Sequence, residues 1–159
     1  MVFPAFIFIG FFFGSGKFKN IIDNTPIQWT VYFQSFRIIV ELLLFGLAIN
    51  NLVPREATFE GYNFDVLIGI TAPIIGWLAF SKKAIGKTAL IVWNICGFAT
   101  LAVVVGVFMI YAYFPQLVHK ESILNTGFGS FPYTYLAGFL MPAAVFMHLF
   151  CLVKLKARA

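Results

Sequence analysis

Gln34, Arg37 and Glu41 stand inside the apolar run from Ile27 to Val53. Charges that deep in a membrane segment are costly, so they face other protein or a polar cavity and often mark a working site. The spacing is three then four, and Leu44 and Ala48 continue it, which puts all five residues on one helix face. Two readings follow. Arg37 and Glu41 can neutralise one another along the helix, although base-before-acid is the weaker order. Alternatively they line a polar cavity, where Arg37 takes an anionic group and Glu41 a proton or a cation.

A second stripe, Asp65, Gly69, Ala72, Gly76 and Ala79, has the same helical spacing. Small residues in such a row let two helix backbones approach closely in lipid. Counting inward from the short loop between the two stripes sets Arg37 level with Gly76. It sets Glu41 level with Thr71 and Ala72, and leaves Asp65 too shallow to reach Arg37. The candidate polar site is therefore Gln34, Arg37, Glu41, Asp65 and Thr71, with Gly69, Ala72, Gly76 and Ala79 as helix-packing positions. Pro73 and Pro142 fall inside apolar runs, where proline removes a backbone bond and a nearby Thr can re-satisfy the freed group. Each reads as a static kink or as a hinge.

His148 is the only histidine within an apolar run, and Cys151 follows three residues on. With Cys96 they make three candidates without supporting spacing, short of the four ligands of a structural zinc site, so a hydrogen-bonded packing histidine is expected and no metal. The two cysteines are isolated and read as small apolar core residues. Glu56, Glu60, His119 and Glu121 read as solvated loop groups. No phosphate-binding loop, dinucleotide fingerprint, hydrolase elbow or haem-attachment motif is present, and no cofactor is expected.

The elements that must position these residues are membrane helices. The chain is 61% hydrophobic and 11% charged, with a mean hydropathy of +0.92. Soluble domains carry about 25% charged residues, so this chain needs lipid as its solvent. The apolar runs are too long and unbroken for a β-barrel. The expected fold is all-α, a single domain over 1–159 forming a polytopic transmembrane bundle. It has a short N-terminal membrane segment at 2–13 and four strong spans at 26–50, 63–80, 88–114 and 131–153. Asn24-Thr25-Pro26 reads as the capped start of the second segment. The first run lacks a preceding basic residue, and Gly14-Ser15-Gly16 is a poor cleavage site. It is expected to be a short or broken membrane helix, the remnant of a longer span, and it leaves four crossings open as an alternative to five.

The net charge of +5 sits in loops rather than in a nucleic-acid motif. Lys17 and Lys19, then Lys82, Lys83 and Lys87, then Lys154, Lys156 and Arg158 fall on one side if all five segments cross. Arg55 and Lys120 lie in the other loops beside acids. The positive-inside rule places the C-terminus in the cytoplasm and the N-terminus outside. Trp29, Trp77 and Trp93 map to the cytoplasmic ends, and Tyr62, Tyr111, Tyr113, Tyr133 and Tyr135 to the opposite ends, as interfacial aromatics do.

The stretches Phe36-Arg37-Ile38-Ile39-Val40-Glu41-Leu42, Thr58-Phe59-Glu60-Gly61-Tyr62-Asn63-Phe64-Asp65 and Gly69-Ile70-Thr71-Ala72-Pro73 resemble a family of small uncharacterised bacterial multi-spanning membrane proteins. The resemblance covers the second and third segments and their loop. It implies a bacterial inner-membrane location and carries no activity. The expected function is a small non-enzymatic binding, transport or assembly subunit. Its partners would be the lipid bilayer and either a membrane subunit or a second copy, with no nucleic acid. The alternative is a membrane-embedded redox or transferase enzyme using Glu41, Asp65 or His148.

Overall fold

The computed structural model describes residues 2–118, 124 and 126–157, and among them every regular element is helical. His119, Lys120, Glu121 and Arg158 lie outside the described residues. In chain order the helices are α1 (Val2–Gly14), α2 (Lys19–Asn24), α3 (Ile27–Ile49), α4 (Asp65–Ser81), α5 (Lys87–Tyr113) and α6 (Leu136–Ala157).

Among the described residues, only α3, α5 and α6, of 23, 27 and 22 residues, are by length and composition long and apolar enough to cross a membrane. The expectation of four such spans is not met, because α4 is shorter. It has 12 residues of α-helix and 5 of π-helix. That is about 25 Å at 1.5 Å per residue, against a hydrocarbon core of about 30 Å. Its π-turn, Trp77–Ser81, follows four residues after Pro73. A second π-turn, Leu136–Leu140, precedes Pro142 in α6. Each proline thus lies beside a local widening of its helix.

The start of α3 differs from the capped start expected. Thr25 Oγ1 donates to Ile21 O at 2.7 Å and Asn24 Nδ2 to Asn20 O at 2.9 Å, so both side chains turn back onto α2. Two further carbonyls of α2 are met by Lys154, whose buried Nζ donates to Ile22 O at 2.6 Å and Asp23 O at 3.0 Å. A lysine at a helix C-terminus suits both the orphan carbonyls and the helix dipole.

The consecutive helices α3 to α6 alternate in direction. Gly69 of α4 lies against Ile38 of α3, and Gly76 against Tyr32, so these two are antiparallel. Trp93 of α5 donates to Thr71 Oγ1 at 3.0 Å while Thr100 reaches Asp65, which makes α4 and α5 antiparallel. Asn94 and Gly97 of α5 meet Cys151 and His148 of α6 in the same reversed sense. The helix α1 runs parallel to α6, with Phe12 and Phe13 against Phe146, at centroid distances of 4.9 and 5.3 Å.

Apolar packing fills both ends of the bundle. Ile27, Val31, Ile68, Ala72, Leu90, Trp93, Cys151 and Leu155 form one core near the Lys82 end. Leu47, Ala48 and Val53 anchor another near the Glu56 end. Trp93 is buried in the first core, so it does not serve as the interfacial anchor expected of it, whereas Trp29 and Trp77 are exposed. The outward faces carry exposed Ile39, Leu42, Ile70, Ile74, Val92 and Ile95, a surface suited to lipid.

Candidate functional site

Between the two apolar cores lies a buried polar layer, and the loop after α3 decides its composition. Asn51 adopts a left-handed conformation (φ 54°) and Leu52 N–H closes on Leu47 O at 2.9 Å, a form of ending in which asparagine is tolerated. The chain then folds back toward the bundle centre. Val53, Ala57, Thr58 and Asn63 are all buried. Phe59 N–H donates to Glu41 Oε1 at 2.6 Å. Glu41 lies about 12 Å below the end of α3 at 1.5 Å per residue, so the loop descends by two turns. Gly61 is obligatory here, because a Cβ would strike the backbone of Glu56.

That descent corrects the expected register and the expected pairing. Because α4 starts deep, Gly69 rather than Gly76 lies against the backbone of Arg37 and Ile38. Asp65, one turn outward, is within reach of the arginine. Arg37 Nε donates to Asp65 Oδ2 at 2.7 Å and Nη2 to Oδ1, a bidentate pair. Glu41 does not pair with Arg37. Its Oε1 takes the Phe59 amide and its Oε2 an N–H of Asn63. Asn63 also donates to Ala57 O at 3.1 Å and accepts Asp65 N–H at 3.0 Å. One amide thus ties the loop to α3 and starts α4, with Asp65 suitably placed in the first turn.

The rest of the Arg37 guanidinium faces α5 and α6. Nη2 donates to Gly97 O at 3.3 Å, and Nη1 lies 2.9 Å from His148 Nε2. Arginine only donates, so His148 Nε2 accepts and the ring proton is on Nδ1. Nδ1 is 2.8 Å from Asn94 Oδ1, which accepts that proton. Asn94 then donates to Leu90 O at 2.7 Å and toward Cys151 Sγ at 3.3 Å. His148 is therefore buried and hydrogen-bonded through both ring nitrogens. Gly97 permits this arrangement, since any Cβ there would overlap the imidazole. Thr100 Oγ1 adds a bond to Asp65 Oδ1 at 2.8 Å.

Of the residues expected at the site, Arg37, Glu41 and Asp65 are brought into this layer. Gln34 is buried in a 3-10 turn inside α3 and donates to Ala144 O at 3.2 Å, while its Oε1 has no partner among the described residues. Thr71 is apart from them, bonded to Leu67 O at 2.6 Å and to Trp93. Cys96 lies on the exposed side of α5, away from Cys151 and His148. Asn63, Asn94, Gly97 and Thr100 were missed. Asn94 and Gly97 carried a signal, an amide and a glycine three apart in an apolar span. Asn63 and Thr100 carried none, because their roles depend on the loop's descent.

The layer closes one end of a cavity of about 450 Å³. Arg37, Asp65 and Asn63 supply its polar residues. Val40 and Leu44 of α3, Leu101 to Tyr113 of α5 and the π-turn of α6 supply apolar walls. Glu41 and His148 are not on its wall. Set against family models, curated proteins and solved structures, the chain matches none. The functional reading therefore rests on this geometry.

Proposed function

We propose that the chain is a non-enzymatic subunit of the bacterial inner membrane that holds a lipid-soluble small molecule in the cavity between α3, α5 and α6. The observation that carries this reading is the position of the Arg37–Asp65 pair, a costly buried group placed on the wall of an otherwise apolar cavity. Apolar pockets of 300–1,000 Å³ with a few convergent polar groups are the usual form of a small-molecule site. Glu41 and His148, two of the three groups an enzyme would use, are tied to neighbouring protein groups away from the cavity, which favours binding over chemistry.

In this reading α3, α5 and α6 span the bilayer, the shorter α1 and α4 cross beside them with local thinning of the lipid, and the Lys82 end and the C-terminus face the cytoplasm. Cysteine-accessibility labelling at Lys82 and Glu56 tests the orientation, with outward labelling at Lys82 rejecting it. The binding claim is tested by native mass spectrometry of the gently purified protein beside Val104→Trp, which fills the cavity. The parent is expected to carry a small-molecule adduct that the variant lacks. Equal adducts on both would reject the cavity as the site.

A further inference from the structure

We infer that the cavity's ligand is an uncharged single-chain amphiphile whose terminal oxygen hydrogen-bonds at the Arg37–Asp65 pair. This inference rests on the binding reading above and adds the ligand's chemical class. The two charges on the cavity wall cancel. An anionic head would find the Arg37 charge already neutralised unless Asp65 gave up both of its bonds, and a cationic head would find Asp65 neutralised unless Arg37 gave up its own. Each exchange strands a buried charge. A neutral head disturbs neither.

The pair nevertheless offers hydrogen bonds. A guanidinium has five N–H groups. Nε and one N–H of Nη2 go to Asp65, another of Nη2 goes to Gly97 O, and one of Nη1 goes to His148. The second N–H of Nη1 has no acceptor among the described residues. Asp65 Oδ2 takes only the Arg37 Nε bond among the described residues, so it can accept another. A hydroxyl meets the second of these needs by donating to Oδ2, whereas the spare Nη1 N–H lies on the opposite edge of the guanidinium from Asp65 and is not reached by the same oxygen.

The walls specify the tail. Beyond Arg37, Asp65 and Asn63 the cavity is lined by Val, Leu, Phe, Met and Ala, with Tyr113 at the far end of α5. From Leu101 to Tyr113 it follows α5 for about 18 Å at 1.5 Å per residue. That shape accepts one extended chain.

The test uses the full chain in nanodiscs and three radiolabelled probes of one chain length: hexadecanol, hexadecanoate and hexadecylammonium. Retention is read as the ratio of parent discs to Val104→Trp discs, which removes partitioning into the lipid. Val104→Phe serves if the tryptophan variant does not fold, and Val92→Trp on the exposed face of α5 must behave like the parent. Hexadecanol is expected to be retained by the parent, with each charged probe weaker by about tenfold or more. Tighter retention of either charged probe overturns the neutral-head inference and leaves the cavity reading standing. Retention of none, or retention indifferent to filling the cavity, overturns both.

Discussion

Asp65 and Glu41 are two buried carboxylates in different settings. Asp65 is paired with a guanidinium and lies on the cavity wall. Glu41 is held by a backbone amide and by Asn63, away from the cavity. The first neutralises a charge that a ligand can approach. The second fastens the descending loop to α3. The comparison separates a group that defines a site from one that defines the fold around it, although the two look alike in sequence.

The largest effect expected from breaking this comparison is at the pair. Arg37→Met or Asp65→Leu alone leaves an uncompensated buried charge and is expected to cost about 3–5 kcal/mol. Thermal melting in nanodiscs reads it. Replacing Glu41 with Leu frees the Phe59 amide and one Asn63 N–H, at about 1–3 kcal/mol for each buried donor left unmet. Hydrogen exchange should then rise at Phe59 while the cavity keeps its adduct. Loss of the adduct without faster exchange would erase the distinction between the two carboxylates.

The glycines sharpen the comparison with smaller effects. Gly97→Ala pushes the His148 ring away from Arg37 and is expected to cost about 1–3 kcal/mol, the usual range for overpacking. Gly69→Ala meets the backbone of Ile38, 2.9 Å from the added carbon, whereas Gly76→Ala meets the ring of Tyr32, which can rotate. The Gly69 variant should therefore melt lower than the Gly76 variant. Equal melting would show that α3 and α4 are not held in the register described.

Much of this architecture is legible in the residues. Apolar run lengths located every principal helix, and the small stripe of α4 foretold its close approach to α3. The polar stripe of α3 correctly marked Arg37 and Glu41 as buried. The pairing is not legible, because counting inward from a short loop over 51–62 starts both helices at the same depth, near the surface. The loop instead descends, with Asn63 and the Phe59 amide meeting Glu41, and this moves α4 outward-in by more than a turn relative to α3. Sequence spacing within one helix reports which residues share a face. It does not report the depth at which the next helix begins, and depth decided that Arg37 would meet Asp65.

The most direct test of the central claim, that the pair forms part of a site rather than only a packing contact, compares four proteins: parent, Arg37→Met, Asp65→Leu and the double variant. Thermal stability and the mass-spectrometric adduct are read on each. The double variant removes both charges and should recover much of the stability lost in either single variant. The account predicts that it nevertheless carries no adduct. A double variant that is stable and retains the parent's adduct in full would contradict the account and leave Arg37 and Asp65 as packing alone.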